Sequence, residues 1–138
     1  VVMVTFVPGF TSAEVVAHDR ARAAELAGLR AAGSDAAAVR GAMAAWEQTH
    51  PRPRATLAQV ADHVEHVRRV AGIDHVGIGG DFDGIAETVV GLEDVSTYPA
   101  LFAELARRGW TEAELRKLSG ENVLRALQGA EATAARLR

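Results

Sequence analysis

The chain has 138 residues, with 15 Lys plus Arg against 18 Asp plus Glu and a net charge of −3, which fits one small domain or a piece of a larger one and carries no basic footprint for nucleic acid. Hydrophobic residues make up 49% of it, but 28 are Ala and aromatics are only 5%, so disorder is excluded and the apolar content is small in volume and favours helices. Cys is absent, which removes disulfides, thiolate metal sites and thiol nucleophiles and leaves His, Asp and Glu as the metal-ligating types. No apolar run reaches the roughly 18 residues of a membrane span, and Val1 to Phe6 lacks the flanks of a signal peptide. A soluble piece without a membrane partner is the expectation.

Val1 to Phe6 is a β-branched apolar run ended by Pro8-Gly9 and is predicted as a strand buried on both faces. Thr11-Ser12-Ala13-Glu14 carries a capping-box pattern that opens an Ala/Arg-rich helix to about Ala32, where Gly33 stops it. Ser34 and Asp35 cap a second helix to about Gln48, and His50-Pro51-Arg52-Pro53 forbids its continuation. Together these helices, about 12–49, form a helical insertion. Thr56 caps a third helix with Leu57, Val60, Val64 and Val67 on one face, ended by Gly72. A second strand follows over about 74–80, and the turn-rich Asp81-Phe82-Asp83-Gly84 then leaves the sheet. After a Gly91-Leu92-Glu93-Asp94 loop, helices fill about 98–137: Tyr98 to Arg108, a short one capped by Thr111 and Glu114, and a last one from Glu121 to Leu137.

Strand, helical crossover and strand make a βαβ unit. Two parallel strands apolar on both faces need sheet neighbours, because an isolated two-stranded sheet is marginal in water. The expected fold class is therefore α/β, as the C-terminal part of a larger protein, with a swapped or oligomeric sheet as the alternative.

Gly79-Gly80-Asp81-Phe82-Asp83-Gly84 is the strongest chemical candidate, since parallel α/β sheets place reacting groups at strand C-termini and glycines admit a close ligand. Asp81 there is set to take a proton from water or to orient a substrate amine, or else to cap its own turn. His63 and His66 stand at i and i+3, a spacing that can hold a metal on one helix face, but on a crossover helix away from the strand ends they read rather as a helix rim with Asp62 pairing His66. His75 begins the second strand at its far end, and His18 and His50 have no evident carboxylate arrangement. Arg20, Arg22, Arg30 and Arg40 form a solvated face or a lid that greets a substrate carboxylate. Trp46 and Trp110 read as packing anchors.

The series Val2-Met3-Val4-Thr5-Phe6, Asp62-His63-Val64-Glu65-His66, Asp74 to Gly84, Gly91-Leu92-Glu93-Asp94-Val95-Ser96 and Asn122-Val123-Leu124-Arg125 resembles the C-terminal part of the membrane (renal-type) dipeptidases, zinc metallopeptidases of the amidohydrolase superfamily. The resemblance implies a (β/α)8 barrel of which this chain holds the last two βα units, with strands seven and eight at about 1–6 and 74–80. It implies a binuclear zinc centre whose His, Asp and Glu ligands belong upstream, so no metal ligand carries over to this chain. Asp81 resembles the family's catalytic Asp beside the zinc pair, and Gly84 a residue whose backbone N–H lies against substrate. Thr5 stands where the family often has Asn. In the intact enzyme two zinc ions would activate a water for attack on a dipeptide, often with a D-residue at its C-terminal position, while Asp81 moves a proton to the leaving nitrogen.

The resulting expectation is a dipeptidase whose isolated last portion is inactive without the N-terminal barrel region. Homodimer formation and a bacterial cytoplasmic location complete it. The alternatives are another metal-dependent hydrolase of the superfamily, or a non-catalytic helical module that binds a partner.

Overall fold

Two short strands lie side by side at the centre of the computed structural model, which describes residues 1–137: β1, Val2–Thr5, and β2, Val76–Gly80. They are parallel, pairing Val2 with Val76, Met3 with Gly77 and Val4 with Ile78. A register shift then passes over Gly79 and pairs Thr5 with Gly80. Both are shorter than their apolar runs. Asp74 and His75 belong to a 3-10 turn, Ile73–His75, that precedes β2, so His75 does not begin the strand. The turn forms because Gly72, at φ +90°, ends the preceding helix and accepts the His75 N–H on its carbonyl at 3.1 Å.

Burial on both faces fails for β1. Val4 is 4% exposed, but Val2 is 49% and Met3 42% exposed, because β1 has one strand neighbour, on one edge only, among the described residues. β2 fares better, with Val76 and Gly77 buried.

The crossover between the strands contains four helices: α1, Pro8–Thr11; α2, Ala13–Ala31; α3, Ala36–Thr49; and α4, Leu57–Ala71. α1 is a single turn that the Thr11 capping pattern does not foresee. Pro8, with its fixed φ and no N–H to satisfy, sits at its first position. The cap of α2 is consequently Ser12, whose Oγ accepts the Val15 N–H at 3.3 Å and donates to Glu14 at 2.8 Å. Gly33 stops α2 at φ +75°, and Asp35 caps α3 by accepting from the Ala37 and Ala38 N–H groups. Thr56 caps α4 as expected, and Gln59 completes a reciprocal capping box with it.

Beyond β2 the chain makes a turn and loop, then a 3-10 turn, Val95–Thr97, and α5, Tyr98–Arg107, with Pro99 in its first turn. α6, Glu112–Arg116, has the Thr111/Glu114 capping box; a π-type turn, Lys117–Glu121, joins it to α7, Asn122–Arg136.

The core sits where α4, α5 and β2 meet: Val60, Ala61, Val64, Val76, Leu101, Leu105, Trp110 and Leu118 are all buried, joined by Val4, Phe6, Val89 and Leu92. Each such Leu or Val gives about 1.5–3 kcal/mol on leaving water. The insertion contributes little to it. Nineteen residues of α2 bury Val15, and fourteen of α3 bury Met43. Asp62 does not pair with His66 as its spacing suggests. It joins Glu65 and Glu104 around Arg108, at 2.6, 2.8 and 2.6 Å, stapling α4 to α5, while His66 meets Arg69 instead.

Candidate functional site

Asp81 is the first residue past β2 and stands at φ +72°, the one non-glycine left-handed residue among those described. Gly80 precedes it at φ +58°. Two successive left-handed residues turn the chain sharply out of the sheet, a conformation that Gly adopts freely and that Asp tolerates better than most side chains. The turn is closed by the Asp81 N–H donating to the Gly79 carbonyl at 2.6 Å and the Gly84 N–H donating to the Asp81 carbonyl at 3.0 Å. Strain of this kind, of order 1–3 kcal/mol, persists where surrounding structure enforces it, and such residues cluster at functional sites.

The enforcing structure is aromatic. Phe6, at the end of β1, packs edge-on against Phe82 at 5.8 Å and against Tyr98 at 5.7 Å, and Phe82 lies 5.9 Å from Tyr98. The Phe6 N–H donates to the Gly80 carbonyl at 3.1 Å, and a Cβ on Gly80 would stand 2.5 Å from the Tyr98 hydroxyl. Partial burial among these rings raises the pKa of Tyr98. The residue before Asp81 must therefore be Gly for reasons of both φ and space.

The Asp81 side chain is exposed and lies over Gly84: a Cβ there would come within 2.5 Å of Asp81 Oδ1 and 3.2 Å of its carboxyl carbon. Both sequence-predicted site residues are thus brought together, with the carboxylate against the bare Cα of Gly84. The alternative of Asp81 capping its own turn through the side chain is not what forms, since the turn bond goes to its main-chain carbonyl.

Gly84 also borders a cleft of about 470 Å³ lined by Val7, Pro8, Gly9, Asp19, Arg52, Ile85, Ala86 and Glu87. It lies at the C-terminal ends of both strands, between the β1 exit, α2 and the loop after Asp81. The Arg52 guanidinium crosses it, with Nε and Nη2 donating to the two carboxylate oxygens of Asp19 at 2.8 Å each and Nη1 pairing with Glu87. The fork of hydrogen bonds from Arg52 holds the Asp19 carboxyl well below its usual range, at about 2, with His18 helping.

None of Arg20, Arg22, Arg30 or Arg40 lines that cleft. Arg22 pairs with Glu47 at 2.7 Å between α2 and α3, and Arg20 borders a separate hollow with Phe10 and His63. Sequence reasoning passes over Arg52, Asp19 and Glu87, although one signal exists: Arg52 is set between two prolines, which stiffen the backbone carrying it. A larger cleft, of about 560 Å³, runs between α2 and α3 beside Trp46 and His50. Its other walls are mostly Ala, Gly and Leu, with Glu25 as the one carboxylate, so it reflects loose packing of Ala-rich helices rather than a reacting centre.

His18 Nε2 meets the His50 carbonyl at 2.9 Å, and the His50 ring stacks on Trp46 at 4.4 Å. Trp46 therefore packs against the insertion's exit. Trp110 anchors the core beneath the Arg68 guanidinium, 4.6 Å from its ring. Glu93 and Asp94 serve their own loop, accepting from the Gly91 and Ser96 N–H groups. Among the described residues no three His, Asp or Glu converge on a point that would hold a metal ion, so the residues present do not supply a ligand set for the implied zinc pair.

Comparison with known proteins converges on one group. The sequence pattern of the membrane dipeptidases, peptidase family M19, matches residues 1–138. The dipeptidase verJ of Clonostachys rogersoniana is 50% identical over 76 residues, which are 55% of this chain and 20% of that protein. The crystal structure of the probable dipeptidase PvdM from Pseudomonas aeruginosa superimposes with a TM-score of 0.66 at 27% identity, covering 91% of this chain and 36% of that one. The matched regions thus cover about a fifth of the first relative's length and just over a third of the second's.

Proposed function

The chain belongs to the membrane dipeptidase family, and on that footing we propose that it is the C-terminal portion of a zinc-dependent dipeptidase, with Asp81 as its catalytic carboxylate and Gly84 beside the substrate. The observation that carries this reading is the Asp81 carboxylate, held by a left-handed backbone at the end of a parallel strand and laid against a glycine that opens onto a cleft. Parallel barrels gather their chemistry at that end.

Peptide hydrolysis needs a bond from a water oxygen to the carbonyl carbon, rupture of the C–N bond, and a proton carried from the water to the departing amine. Asp81 is suited to carrying that proton, since an exposed carboxylate accepts it from the attacking water and returns it to nitrogen. The Gly84 N–H is already donated to the Asp81 carbonyl at 3.0 Å, so what Gly84 offers a dipeptide is a bare Cα that admits close approach rather than a free N–H donor. The binuclear zinc centre of this proposal takes its ligands from outside these residues. The further strands of a (β/α)8 sheet that the proposal requires are supported by two features: β1 exposes Val2 and Met3, and α7 exposes Val123, Leu124 and Leu127. A barrel wall would cover such surfaces. The 138 residues alone are accordingly expected to hydrolyse nothing.

The test is Asp81→Asn in the full-length protein, because Asn keeps the shape and tolerates the left-handed backbone. The expected result is a loss of dipeptide turnover of about 10²-fold or more, with the melting temperature and zinc content unchanged. Unaltered kcat/KM would overturn the role of Asp81. A full-length protein that binds no zinc and cleaves no dipeptide would overturn the whole reading in favour of a helical binding module.

A further inference from the structure

The loop after Asp81 is fastened to the rest of the chain at two points. At one end the Val90 N–H donates to the Ala55 carbonyl and the Leu57 N–H to the Val90 carbonyl, both at 2.9 Å, a short parallel ladder between 55–57 and Val90. At the other end Arg52 pairs with Glu87, three residues past Gly84, while its remaining donors fork onto Asp19 of α2. The connection 50–57 therefore runs beside the segment 84–90 like a splint.

Arg52 is well prepared for this. Pro51 and Pro53 restrict its backbone, His18 holds the carbonyl of His50 just upstream, and the His50 ring is stacked on Trp46. The backbone entropy lost on ordering this connection is thereby reduced, while the Arg52 side chain keeps its own rotamer cost, so the half-exposed ion pair loses less to ordering than it would on a flexible loop. The guanidinium is also the one side chain that can serve two carboxylates at once with directed donors; an ammonium cannot reproduce that fork.

We propose that Arg52 is a positioning residue of the dipeptidase site. It acts through Glu87 and Asp19 to hold the 84–88 loop, and with it Gly84 and the Asp81 carboxylate lying over Gly84, at a fixed height above the strand ends, coupling the insertion to the reacting groups without touching substrate itself. The inference rests on the proposed dipeptidase function and assigns the insertion a role as a brace.

Four forms of the full-length enzyme test it: wild type, Arg52→Ala, Arg52→Lys, and Arg22→Ala, which removes a different ion pair of the same insertion. Kinetics on a dipeptide panel are read with hydrogen exchange over 84–90. Misplacing a reacting group by about 1 Å can cost of order 10²-fold, so Arg52→Ala is expected to lower kcat by about 10-fold or more with KM moved less than about threefold. Exchange over 84–90 should accelerate, Arg52→Lys should recover only part of the loss, and Arg22→Ala should match wild type. The proposal is overturned by kcat within about twofold of wild type, by full recovery with Lys, or by an equal loss in Arg22→Ala, which would signal general destabilisation. Should the wild-type protein cleave no dipeptide, the functional reading fails. The brace is then judged by exchange alone, with acceleration in Arg52→Ala supporting it and unchanged exchange overturning it.

Discussion

The core around α4 and α5 and the insertion formed by α2 and α3 are both helical, yet they are held by different forces. The first is closed by branched and aromatic side chains, with Val60, Val64, Leu101, Leu105 and Trp110 buried together. The second is composed mostly of Ala and Arg, buries Val15 and Met43, and is tied by polar contacts: Arg22 to Glu47 between its two helices, His18 to the His50 carbonyl, and Asp19 to Arg52, which also reaches Glu87. The contrast teaches that a helix here can be added to a fold largely through polar contacts, with little apolar burial of its own. Under the brace proposed above, such an element contributes geometry to a neighbouring loop more than it contributes stability.

Substitutions can sharpen that difference. In the full-length protein Leu105→Ala, which empties a buried site between α4 and α5, is expected to cost about 2–5 kcal/mol by chemical denaturation; a cost near zero would mean that the core lies elsewhere. Gly84→Ala should come next, through function rather than stability. Its methyl would collide with Asp81 Oδ1, and because the carboxylate is a mobile group the collision is relieved by swinging it away, lowering kcat by about 10-fold or more while the denaturation midpoint holds. Wild-type kinetics in this variant would show that the position of Asp81 is not critical.

Smaller effects belong to the insertion. Leu29→Ala, at a half-exposed site on α2, should cost under about 1 kcal/mol, within the range of substitutions outside well-packed cores; a cost equal to that of Leu105→Ala would erase the distinction between the two regions. The pH dependence is smaller still. The Asp19 carboxyl is held at about 2 against an ordinary 3.8, so its contribution to the folded state is complete above about pH 4 and is lost as pH falls through about 2. Protease nicking at 50–54 should therefore stay constant from pH 7 to 4, and increase only below pH 3 in an acid-stable protease assay.

How much of the molecule is legible in its sequence differs by element for physical reasons. The caps at Thr56 and Thr111 are plain because a cap bonds residues about three apart, and local spacing expresses it. The Thr11 pattern misleads because Pro8 starts a separate turn and hands the cap to Ser12. The second strand begins later than its apolar run suggests, because the alternation of apolar residues does not reveal that Gly72 bends the chain into a 3-10 turn. Asp81 and Gly84 stand out by their place after an apolar run and by a family resemblance. Their contact, with the carboxylate of one lying on the Cα of the other, is visible in neither.

The sequence alone determined the long helices, most of their caps and stops, the two apolar strand segments and the acidic turn after the second, since each depends on residues within a few positions of one another; the single turn α1, the Ser12 cap and the late start of β2 were not legible there. The tertiary structure alone decided which charges meet. Arg52 is separated from Asp19 by 33 positions and from Glu87 by 35, and Arg108 reaches Asp62 across 46. Pairs such as Arg116 with Glu112 follow the i,i+4 helical spacing and can be read locally, but these long-range pairs have no periodicity to read; they form where packed helices and a proline-stiffened connection bring long side chains within reach.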